Sequence, residues 1–528
     1  MSDFDQALPP RPSIGVSAML ARTAQIRPRH LATANGDRRR SWSEVSDRVA
    51  RMASAIRSMG LEDGDRVAVL GLTNDRYFEL LAAIPRAGGV VVPLNWRWSV
   101  AELADGIADC EPDILFVDDR MLDVARKLHS GRPGLRLISI GESANGLPHY
   151  EALLAGHEPG EDAGRGGDAL YQLGYTGGTT GRSKAAMLSH RNVISNMMMC
   201  WADGFFGENA VYLLNGPMFH AAGTWPSISL MGSGGTAILM PQFEPAEALR
   251  LIEKYRCTES LLVPAVIQML IEHADFPTTD TSSFTTIIYG ASPITETLLD
   301  RAVKAFPAAR FIQAYGMTEL SPMCAVLPDY ALRGEFRERG VYRAAGRAAV
   351  GVQIRIVDED DVEVPRGEVG EIAVRGENMM LGYWRRPEET AIALRGGWMH
   401  TGDGGRMDED GFIYVVDRVK DMIISGGENV YSQEVENALA LHHAVRQCAV
   451  IGIPSEKWGE SVHAIVRLHD DADVTEEALI DHCRELIARY KVPRSIQFWE
   501  GEFPLTPANK ILKRELRRPF WEGQGRRI

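Results

Sequence analysis

Short apolar runs alternate with stretches of helical spacing along the first 150 residues of the chain. Residues 67–72, 90–93 and 114–117 are short, rich in β-branched residues and bounded by Gly or Asp, which predicts buried strands. Between the first two, residues 77–86 have the apolar spacing of a helix. Strands that alternate with helices favour mostly parallel sheets covered by helices on both faces.

Local signals indicate where several elements begin and end. Ser41-x-x-Glu44 and Ser99-x-x-Glu102 fit the capping box and predict two helix starts. The Gly- and charge-rich residues 158–167 predict a surface loop. Beyond that loop the same alternation resumes, with strand candidates at residues 236–240, 260–263, 286–289 and 310–314.

After about residue 343 the pattern changes to short strands separated by turns. Residues 353–357, 371–375 and 412–416 predict a small antiparallel barrel or sheet. Beyond Lys420 the chain predicts a module of about 110 residues, large enough to fold by itself. Its elements are a helix at 432–439, strands at 444–453 and 462–468, a helix at 475–489 and a strand at 495–500.

The predicted fold class is therefore α/β. We expect a large N-terminal domain made of two βα-layered subdomains and a small β-barrel-like subdomain. A small α+β domain completes the chain at its C-terminal end.

Composition and charge narrow the classes of partner. Of the 528 residues, 45% are hydrophobic and 24% charged, as in ordinary globular proteins. Lys and Arg total 57 and Asp and Glu 71, so the formal net charge is −14. Because an acidic surface repels phosphates and anionic lipid heads, we expect no nucleic-acid partner. No apolar stretch approaches the ~18 residues of a membrane span, so we expect a cytoplasmic protein without integral membrane association.

The six cysteines are scattered and form no Cys-x-x-Cys pair. This spacing predicts reduced thiols in place of a zinc site or a disulfide framework.

The segment from Tyr175 to Lys184 reads Tyr-Thr-Gly-Gly-Thr-Thr-Gly-Arg-Ser-Lys. Its glycines let the backbone approach a ligand closely, and its N–H groups, hydroxyls and lysine supply the donors that a polyphosphate needs. Apolar residues on both sides predict a loop between two strands; a plain surface turn is the alternative. A Walker-type loop requires Gly-Lys-Ser/Thr before a helix, so this order argues against an ordinary P-loop NTPase.

Six further motifs follow in order along the chain. With the glycine-rich segment they resemble the signature set of the adenylate-forming superfamily, of the acyl-CoA synthetase type. They are Pro-Met-Phe-His at 217–220, Gln-Ala-Tyr-Gly-Met-Thr-Glu at 313–319, Thr-Gly-Asp at 401–403, Asp-Arg-Val-Lys-Asp at 417–421, Gly-Gly-Glu-Asn at 426–429 and Pro-Leu-Thr-Pro-Ala-Asn-Lys at 504–510.

The resemblance implies a two-step reaction with ATP, Mg²⁺ and coenzyme A. A carboxylate attacks the α-phosphate of ATP to give an acyl-adenylate and pyrophosphate, and a thiol then displaces AMP. Because an anion attacks a polyanion, catalysis depends on charge neutralisation and positioning. Lys510 resembles the catalytic lysine of the family, and Glu319 and Thr176 resemble its Mg²⁺ ligands. Thr318 and His220 complete the expected catalytic set.

The same resemblance assigns the nucleotide site. Asp403 is expected to accept hydrogen bonds from both ribose hydroxyls, Tyr315 to lie against adenine, and Arg418 to reach the ribose or phosphates. The full expected ATP-binding set is Thr176, Gly177, Gly178, Thr179, Thr180, Gly181, Lys184, Gln313, Tyr315, Gly316, Met317, Thr318, Asp403, Arg418 and Lys510.

The resemblance also implies a mobile C-terminal domain. Residues 1–417 are expected to adenylate the acid, residues 418–421 to form a hinge with Lys420 at its centre, and residues 422–528 to rotate between the two half-reactions. After rotation Gly426, Gly427 and Glu428 would border the path of the thiol. The rotation is explained by Lys510, because this lysine is needed for adenylate formation and would obstruct thioester formation.

The chain departs from the family pattern at three places. We expect these departures to affect the turnover rate and not the type of reaction. Gly177 stands where Ser is common, and the loop ends Ser183-Lys184-Ala185 in place of Pro-Lys-Gly. Asn509 precedes the catalytic lysine in place of Gly, and Asn tolerates left-handed backbone geometry.

Two positions indicate the class of acid. Amino-acid-activating relatives carry an aspartate where His220 stands, and acetate-specific relatives carry a tryptophan at Gly316, so an open apolar pocket is expected. We expect its walls to include His220, Ala221, Gly223, Trp225, Val263, Tyr289, Gly290, Ala291, Gly316 and Met317.

This pocket favours a medium- or long-chain or bulky hydrophobic acid. A 4-coumarate-like aryl-CoA ligase is the alternative within the fold. A luciferase-like oxidative adenylating enzyme and a nucleotide- or acyl-adenylate-binding protein are alternatives of other classes. The physiological acid and a homodimeric state are left open.

Overall fold

Two large sheets, each covered by helices on both faces, form most of the molecule. The computed structural model describes residues 13–176, 183–292, 294–418, 423–425, 428–455, 457–505 and 511–522. For residues 417, 418, 424, 428 and 429 it describes the backbone alone.

Within these ranges the strands follow one another along the whole chain. They are β1 (Leu31–Asn35), β2 (Arg38–Ser41), β3 (Arg66–Leu70), β4 (Val90–Pro93), β5 (Ile114–Val117), β6 (Arg136–Ser139), β7 (Leu170–Thr176), β8 (Lys184–Ser189), β9 (Val211–Leu214), β10 (Thr236–Leu239), β11 (Glu259–Leu262), β12 (Thr286–Gly290), β13 (Arg310–Gly316), β14 (Met323–Leu327), β15 (Arg347–Ala348), β16 (Val352–Val357), β17 (Val369–Gly376), β18 (Gly382–Tyr383), β19 (Met399–Met407), β20 (Ile413–Arg418), β21 (Ile423–Ser425), β22 (Glu428–Val430), β23 (Val445–Ser455), β24 (Gly459–Leu468) and β25 (Ser495–Phe498).

The α-helices alternate with these strands in the N-terminal two thirds. They are α1 (Val16–Ile26), α2 (Trp42–Ser58), α3 (Asp75–Arg86), α4 (Val100–Cys110), α5 (Leu122–Gly131), α6 (Tyr150–Ala155), α7 (His190–Ala202), α8 (Ala221–Ser233), α9 (Pro245–Tyr255), α10 (Pro264–Ile271), α11 (Glu296–Ala305), α12 (Gly334–Glu338), α13 (Pro387–Ala393), α14 (Ser432–Ala440), α15 (Glu476–Leu486) and α16 (Lys513–Trp521).

Four sheets organise the described residues. The largest has nine strands in the order β15-β14-β13-β12-β11-β9-β10-β1-β2, and the second has seven in the order β18-β8-β7-β4-β3-β5-β6. A four-stranded antiparallel sheet, β16-β17-β19-β20, is the expected small β-rich subdomain. The C-terminal sheet runs β22-β21-β24-β23, with β25 beside β24. The predicted α/β fold class is confirmed.

Alternate residues of the central strands face two different cores. Val67 and Val69 join the core between the two large sheets, where α1, α2, α3, α7 and α8 also pack. Ala68 and Leu70 face the other side of their sheet, against α4 and α5. The nine-stranded sheet has the same arrangement, with α9, α10 and α11 on its outer face. Both faces of each sheet are therefore buried, as parallel strands require.

Most local predictions are confirmed. Both capping boxes are present: the Ser41 and Ser99 side chains accept from the N–H groups of Glu44 and Glu102, whose carboxylates accept in return. The predicted strand at 90–93 matches β4, and residues 158–167 form a loop. All six cysteines lie in the described ranges and are unpaired, five of them buried. Among the described residues, no helix combines the length and the apolar character that crossing a membrane requires.

The pKa of one buried carboxyl group makes the stability of the fold depend on pH. Glu259 begins β11, and one of its carboxylate oxygens accepts from the N–H of Phe206 at 3.0 Å. Burial raises the pKa of Glu259 from its ordinary 4.5 to about 6. Since its folded pKa lies above the unfolded value, stability falls as pH rises from about 4.5 through 6.

Glu259→Gln should therefore stabilise the protein above pH 7, because Gln keeps an acceptor for Phe206 without a buried charge. The expected gain in free energy of unfolding is about 2 kcal/mol at pH 8 and near zero at pH 4. Urea unfolding at both pH values measures it. An equal gain at both would show that ionisation of Glu259 is not the cause.

Candidate active site

Several predicted pocket residues lie where parallel strands of the nine-stranded sheet end. The carboxyl ends of β9, β11, β12 and β13 lie side by side in the nine-stranded sheet. His220 follows β9, Val263 follows β11, Gly290 ends β12 and Gly316 ends β13. Ligands of open α/β sheets bind at this edge, so the topology supports the sequence-based location of the site.

Two tyrosine hydroxyls hold the two candidate carboxylates. Tyr315 Oη donates to Asp403 Oδ2 at 2.7 Å, and Tyr383 Oη donates to Glu319 Oε1 at 2.8 Å. Burial, reinforced by the neighbouring carboxylate, raises the pKa of each phenol well above its usual value. Both phenols therefore remain neutral donors near pH 7. Each carboxylate is consequently oriented before any ligand binds.

A half-buried carboxylate supports the irregular part of strand β19 that carries Asp403. Glu371 accepts from the N–H of Gly402 at 2.9 Å, and its other oxygen accepts from Arg395 at 2.8 Å and from His400 Nδ1 at 3.0 Å. Burial opposes ionisation of Glu371, but these hydrogen bonds hold its pKa below the usual value. Gly402 has φ +72°, which glycine adopts easily. Glu371 thus holds this part of β19 in its ionised form.

The strands predicted on either side of the glycine-rich segment are β7 and β8, the two arms of an antiparallel hairpin. Residues 177–182 between them lie outside the described residues. Thr176 Oγ1 donates to the carbonyl of Lys184 at 3.3 Å across the base of this hairpin. Lys184 Nζ lies 5.2 Å from the centroid of the Tyr383 ring. The same tyrosine therefore touches both the lysine and Glu319. Gly174 of β7 lies against Thr318, since a Cβ there would stand 2.9 Å from the Thr318 methyl.

Two buried asparagines hold the turn that follows Glu319. Asn196 donates to the carbonyl oxygens of Leu320 and Met323 at 3.4 and 2.7 Å. Asn378 donates to the same two oxygens at 2.9 and 2.8 Å. The backbone of residues 320–323 is therefore fixed from two sides.

A cavity lies between β7, β8, α7, α8 and this turn. His220, Ala221 and Trp225, all predicted pocket residues, belong to its wall, and Thr318 does too. His220 caps α8, with Nδ1 accepting from the N–H of Ala222 at 3.2 Å. The remaining wall residues are Gln172, Gly174, Tyr175, Leu188, Val193, Phe219, Thr224, Ile228, Ser321 and Pro322.

Other expected pocket residues do not line this cavity. Tyr289 points to the outer face of the nine-stranded sheet, where its ring packs 6.3 Å from that of Phe311. Gly223 is enclosed in α8 against the backbone of Pro217. The residues that lie at the strand edge but outside this wall are Val263, Gly290, Ala291, Gly316 and Met317.

Gly316 has a structural role that differs from the expected one. A Cβ at this position would overlap the carbonyl oxygen of Pro322, which crosses directly beside it. The glycine therefore permits close approach of two backbone segments. The sequence-based interpretation was different: it explained the glycine at position 316 by the need to keep the acid pocket open.

Several expected site residues fall outside the described residues. They are Gly177, Gly178, Thr179, Thr180, Gly181, Lys420, Gly426, Gly427 and Lys510. Arg418 lies opposite Asp403 in the β19–β20 register, and Glu428 begins β22; their side chains are not described. Gln313 lies in β13, two residues before Tyr315.

The donor set suits Mg²⁺ only together with a phosphate ligand. Glu319 and Thr176 offer a carboxylate and a hydroxyl, the hard oxygen donors that Mg²⁺ takes alongside phosphate oxygens. Among the described residues, no group of three or more His, Cys, Asp or Glu side chains could hold a metal ion. The residues thus fit a cation that arrives with a nucleotide.

Sequence reasoning missed Glu371, Tyr383, Asn196, Asn378 and Ser321. None of them stands in a motif that indicates chemistry by itself. The Gly-Tyr-Trp sequence at 382–384 and the Glu-Ile-Ala-Val-Arg run at 371–375 give only strand signals. Their importance comes from tertiary contacts.

Comparison with known proteins identifies the family of this chain. The model for AMP-binding enzymes matches residues 20–384, and that for the AMP-binding enzyme C-terminal domain matches residues 434–510. A feruloyl-CoA synthase of Amycolatopsis is 38% identical over 96% of this chain and 99% of its own length. The fatty acid–[acyl-carrier-protein] ligase ScoC of Streptomyces coeruleorubidus is 34% identical over 90% of this chain and 91% of its own. The crystal structure of ATP-bound MatB from Rhodopseudomonas palustris has a TM-score of 0.87 at 31% identity, covering 97% of this chain and 100% of that one.

Gly316→Ala should destabilise the protein, because the added methyl must displace the backbone at Pro322. Overpacking of this kind costs about 1–3 kcal/mol of unfolding free energy. Guanidinium unfolding measures the loss, with Gly131→Ala as the control, since a Cβ at Gly131 meets nothing within 4 Å. Equal effects of the two substitutions would refute the close approach.

Proposed function

This chain belongs to the family of AMP-binding enzymes, its relatives are acid–thiol ligases, and we propose that it joins a hydrophobic carboxylic acid to coenzyme A. In the first half-reaction a carboxylate oxygen of the acid bonds to the α-phosphorus of ATP, and the bond to pyrophosphate breaks. In the second the sulfur of coenzyme A bonds to the acyl carbon, AMP leaves and the thiol proton is released.

The observation that carries this proposal is the pair of tyrosine–carboxylate hydrogen bonds. Asp403, held by Tyr315 at 2.7 Å, is suited to accept from the two ribose hydroxyls of ATP. Glu319, held by Tyr383 at 2.8 Å, is suited to the phosphate end. Both groups are oriented in advance, so binding costs little reorganisation.

Glu319 and Thr176 would hold Mg²⁺ with the ATP phosphates. When bound, Mg²⁺ supplies charge neutralisation that lowers the barrier to attack by an anion. Lys184 beside Tyr383 would contribute a further positive charge to the phosphate loop. The hairpin β7–β8 carries both Thr176 and Lys184.

The C-terminal domain would supply Lys510 to the first half-reaction. An ammonium group there would bridge the acid carboxylate and the nucleotide oxygens, which reduces their repulsion. We propose rotation about residues 418–421 for the second half-reaction. Gly426, Gly427 and Glu428 would then lie along the thiol path, as the family resemblance implies.

The acid would place its hydrophobic body in the cavity beside α8. Phe219, Trp225, Ile228 and Val193 give this cavity an apolar wall without a fixed charge. A medium- or long-chain or bulky hydrophobic acid fits this chemistry. An aryl acid is the second candidate, because Tyr175, Phe219 and Trp225 offer aromatic surfaces to a ring. A feruloyl-CoA synthase among the relatives supports it.

The acid, ATP and coenzyme A would be the partners, and we propose a cytoplasmic location. The net charge of −14 disfavours binding to nucleic acid.

Pyrophosphate release tests the proposed function directly. Purified protein with Mg²⁺, ATP and a panel of straight-chain and ring-bearing hydrophobic acids should release pyrophosphate with at least one acid. Addition of coenzyme A should yield its thioester and AMP. If none of the acids leads to pyrophosphate release, a binding protein is favoured. Oxygen-dependent emission of light without coenzyme A would favour a luciferase-like enzyme.

Lys510→Ala should separate the half-reactions. We expect a loss of at least about 100-fold in adenylate formation, since the variant lacks the charge that offsets anion repulsion. Thioester formation from supplied acyl-AMP should remain within about threefold of wild type. Lys491→Ala is the matched control, because Lys491 pairs with Glu434 at 2.7 Å on the same domain. Equal losses in both half-reactions of Lys510→Ala would refute its assignment.

A further inference from the structure

Ser321 is an unusual member of the cavity wall. Its side chain belongs to a residue that is only 6% exposed, and its hydroxyl oxygen has no hydrogen-bond partner among the described residues. Its backbone has φ +64°, in the left-handed region that favours glycine. Ser321 therefore departs from ordinary serine behaviour in two independent ways.

Both departures cost free energy. A non-glycine residue in the left-handed region is strained, and a buried hydroxyl without a partner loses its hydration. The surrounding structure imposes the backbone conformation, since Asn196 and Asn378 fix the carbonyls of Leu320 and Met323 on either side. Glycine would adopt this turn more easily and would bury no hydroxyl. A buried polar group of this kind calls for a partner, and the described part of the chain provides none.

Two other polar side chains of the cavity wall, Thr224 and Trp225, are already engaged. Trp225 Nε1 donates to Cys200 Sγ at 3.2 Å, and Thr224 Oγ1 donates to the carbonyl of His220 at 3.3 Å. The hydroxyl of Ser321 is therefore suited to an incoming ligand. The amide of Gln172, in the same wall, offers a second polar contact.

We propose that the hydroxyl of Ser321 hydrogen-bonds an oxygen substituent on the hydrophobic body of the acid, and that Ser321 is a specificity-determining residue. The inference rests on the proposed function. The substrate class is a ring-bearing carboxylic acid with a hydroxyl, methoxy or keto oxygen. A serine hydroxyl donates to all three and also accepts from a hydroxyl. The aromatic wall receives the ring.

Such a contact discriminates strongly between matched acids. A site that hydrogen-bonds a substrate oxygen rejects the analogue without it, because the protein group is then left buried and unpaired. We expect the best oxygen-bearing acid to exceed its parent by at least about tenfold in kcat/KM.

The test compares 3-phenylpropenoic acid with its ring-hydroxylated and ring-methoxylated derivatives, by steady-state pyrophosphate release. Wild type should prefer at least one derivative by tenfold or more. Ser321→Gly, which relieves the strained turn and deletes the hydroxyl, should reduce that preference to within about threefold, because kcat/KM falls further for the oxygen-bearing acid than for the parent acid. Ser321→Ala should reduce the preference equally if it folds.

Ser229→Ala is the matched control. Ser229 is also a fully buried serine without a described partner for its hydroxyl, but it lies in α8 outside the cavity wall. It should leave the preference unchanged. A wild-type enzyme that turns over every acid equally would overturn the inference, as would a Ser321→Gly variant that loses the parent and its derivatives in the same proportion. Failure of these ring-bearing acids alongside pyrophosphate release from a straight-chain acid would also overturn the inference, whereas failure of the straight-chain acids as well would overturn the proposed function.

Discussion

Convergence of three sheets on one short segment is the constraint on which the site depends. Residues 315–319 begin in β13 of the nine-stranded sheet. Tyr315 reaches Asp403 in the four-stranded sheet, and Glu319 receives the hydroxyl of Tyr383 from the edge of the seven-stranded sheet. Because every one of these contacts is made by a different sheet, the two carboxylates keep their relative positions only while all three sheets are assembled.

Residues 315–321 contribute both to the proposed nucleotide site and to the proposed acid cavity. Glu319 and Tyr315 face the proposed nucleotide site, while Ser321 lies in the cavity wall. Asn196 and Asn378 secure the turn between β13 and β14. Packing of the folded protein therefore orders these side chains before ligand binds. The entropy cost of ordering them does not then reduce the affinity for the ligand.

The sequence predicted the elements and the motifs well, because both are local properties. β4 and β5 have the predicted bounds, and the capping boxes at Ser41 and Ser99 formed as expected. The face to which Tyr289 points could not be predicted, since a strand buried on both faces shows no alternation of polar and apolar residues. Tyr383 lies 64 residues from Glu319, and Glu371 lies 31 residues from Gly402, so their roles appear only in three dimensions.

The central claim is that the partly buried phenol of Tyr315 orients Asp403 before the nucleotide arrives. A double-mutant cycle on ATP affinity, measured by calorimetry, tests it most directly, with Tyr171→Phe as the control because Tyr171 donates to the carbonyl of Leu81. Tyr315→Phe should weaken ATP binding about tenfold, the scale of one hydrogen bond to a charged group, and should have little further effect in an Asp403→Asn background. Equal losses in the two backgrounds would contradict the account.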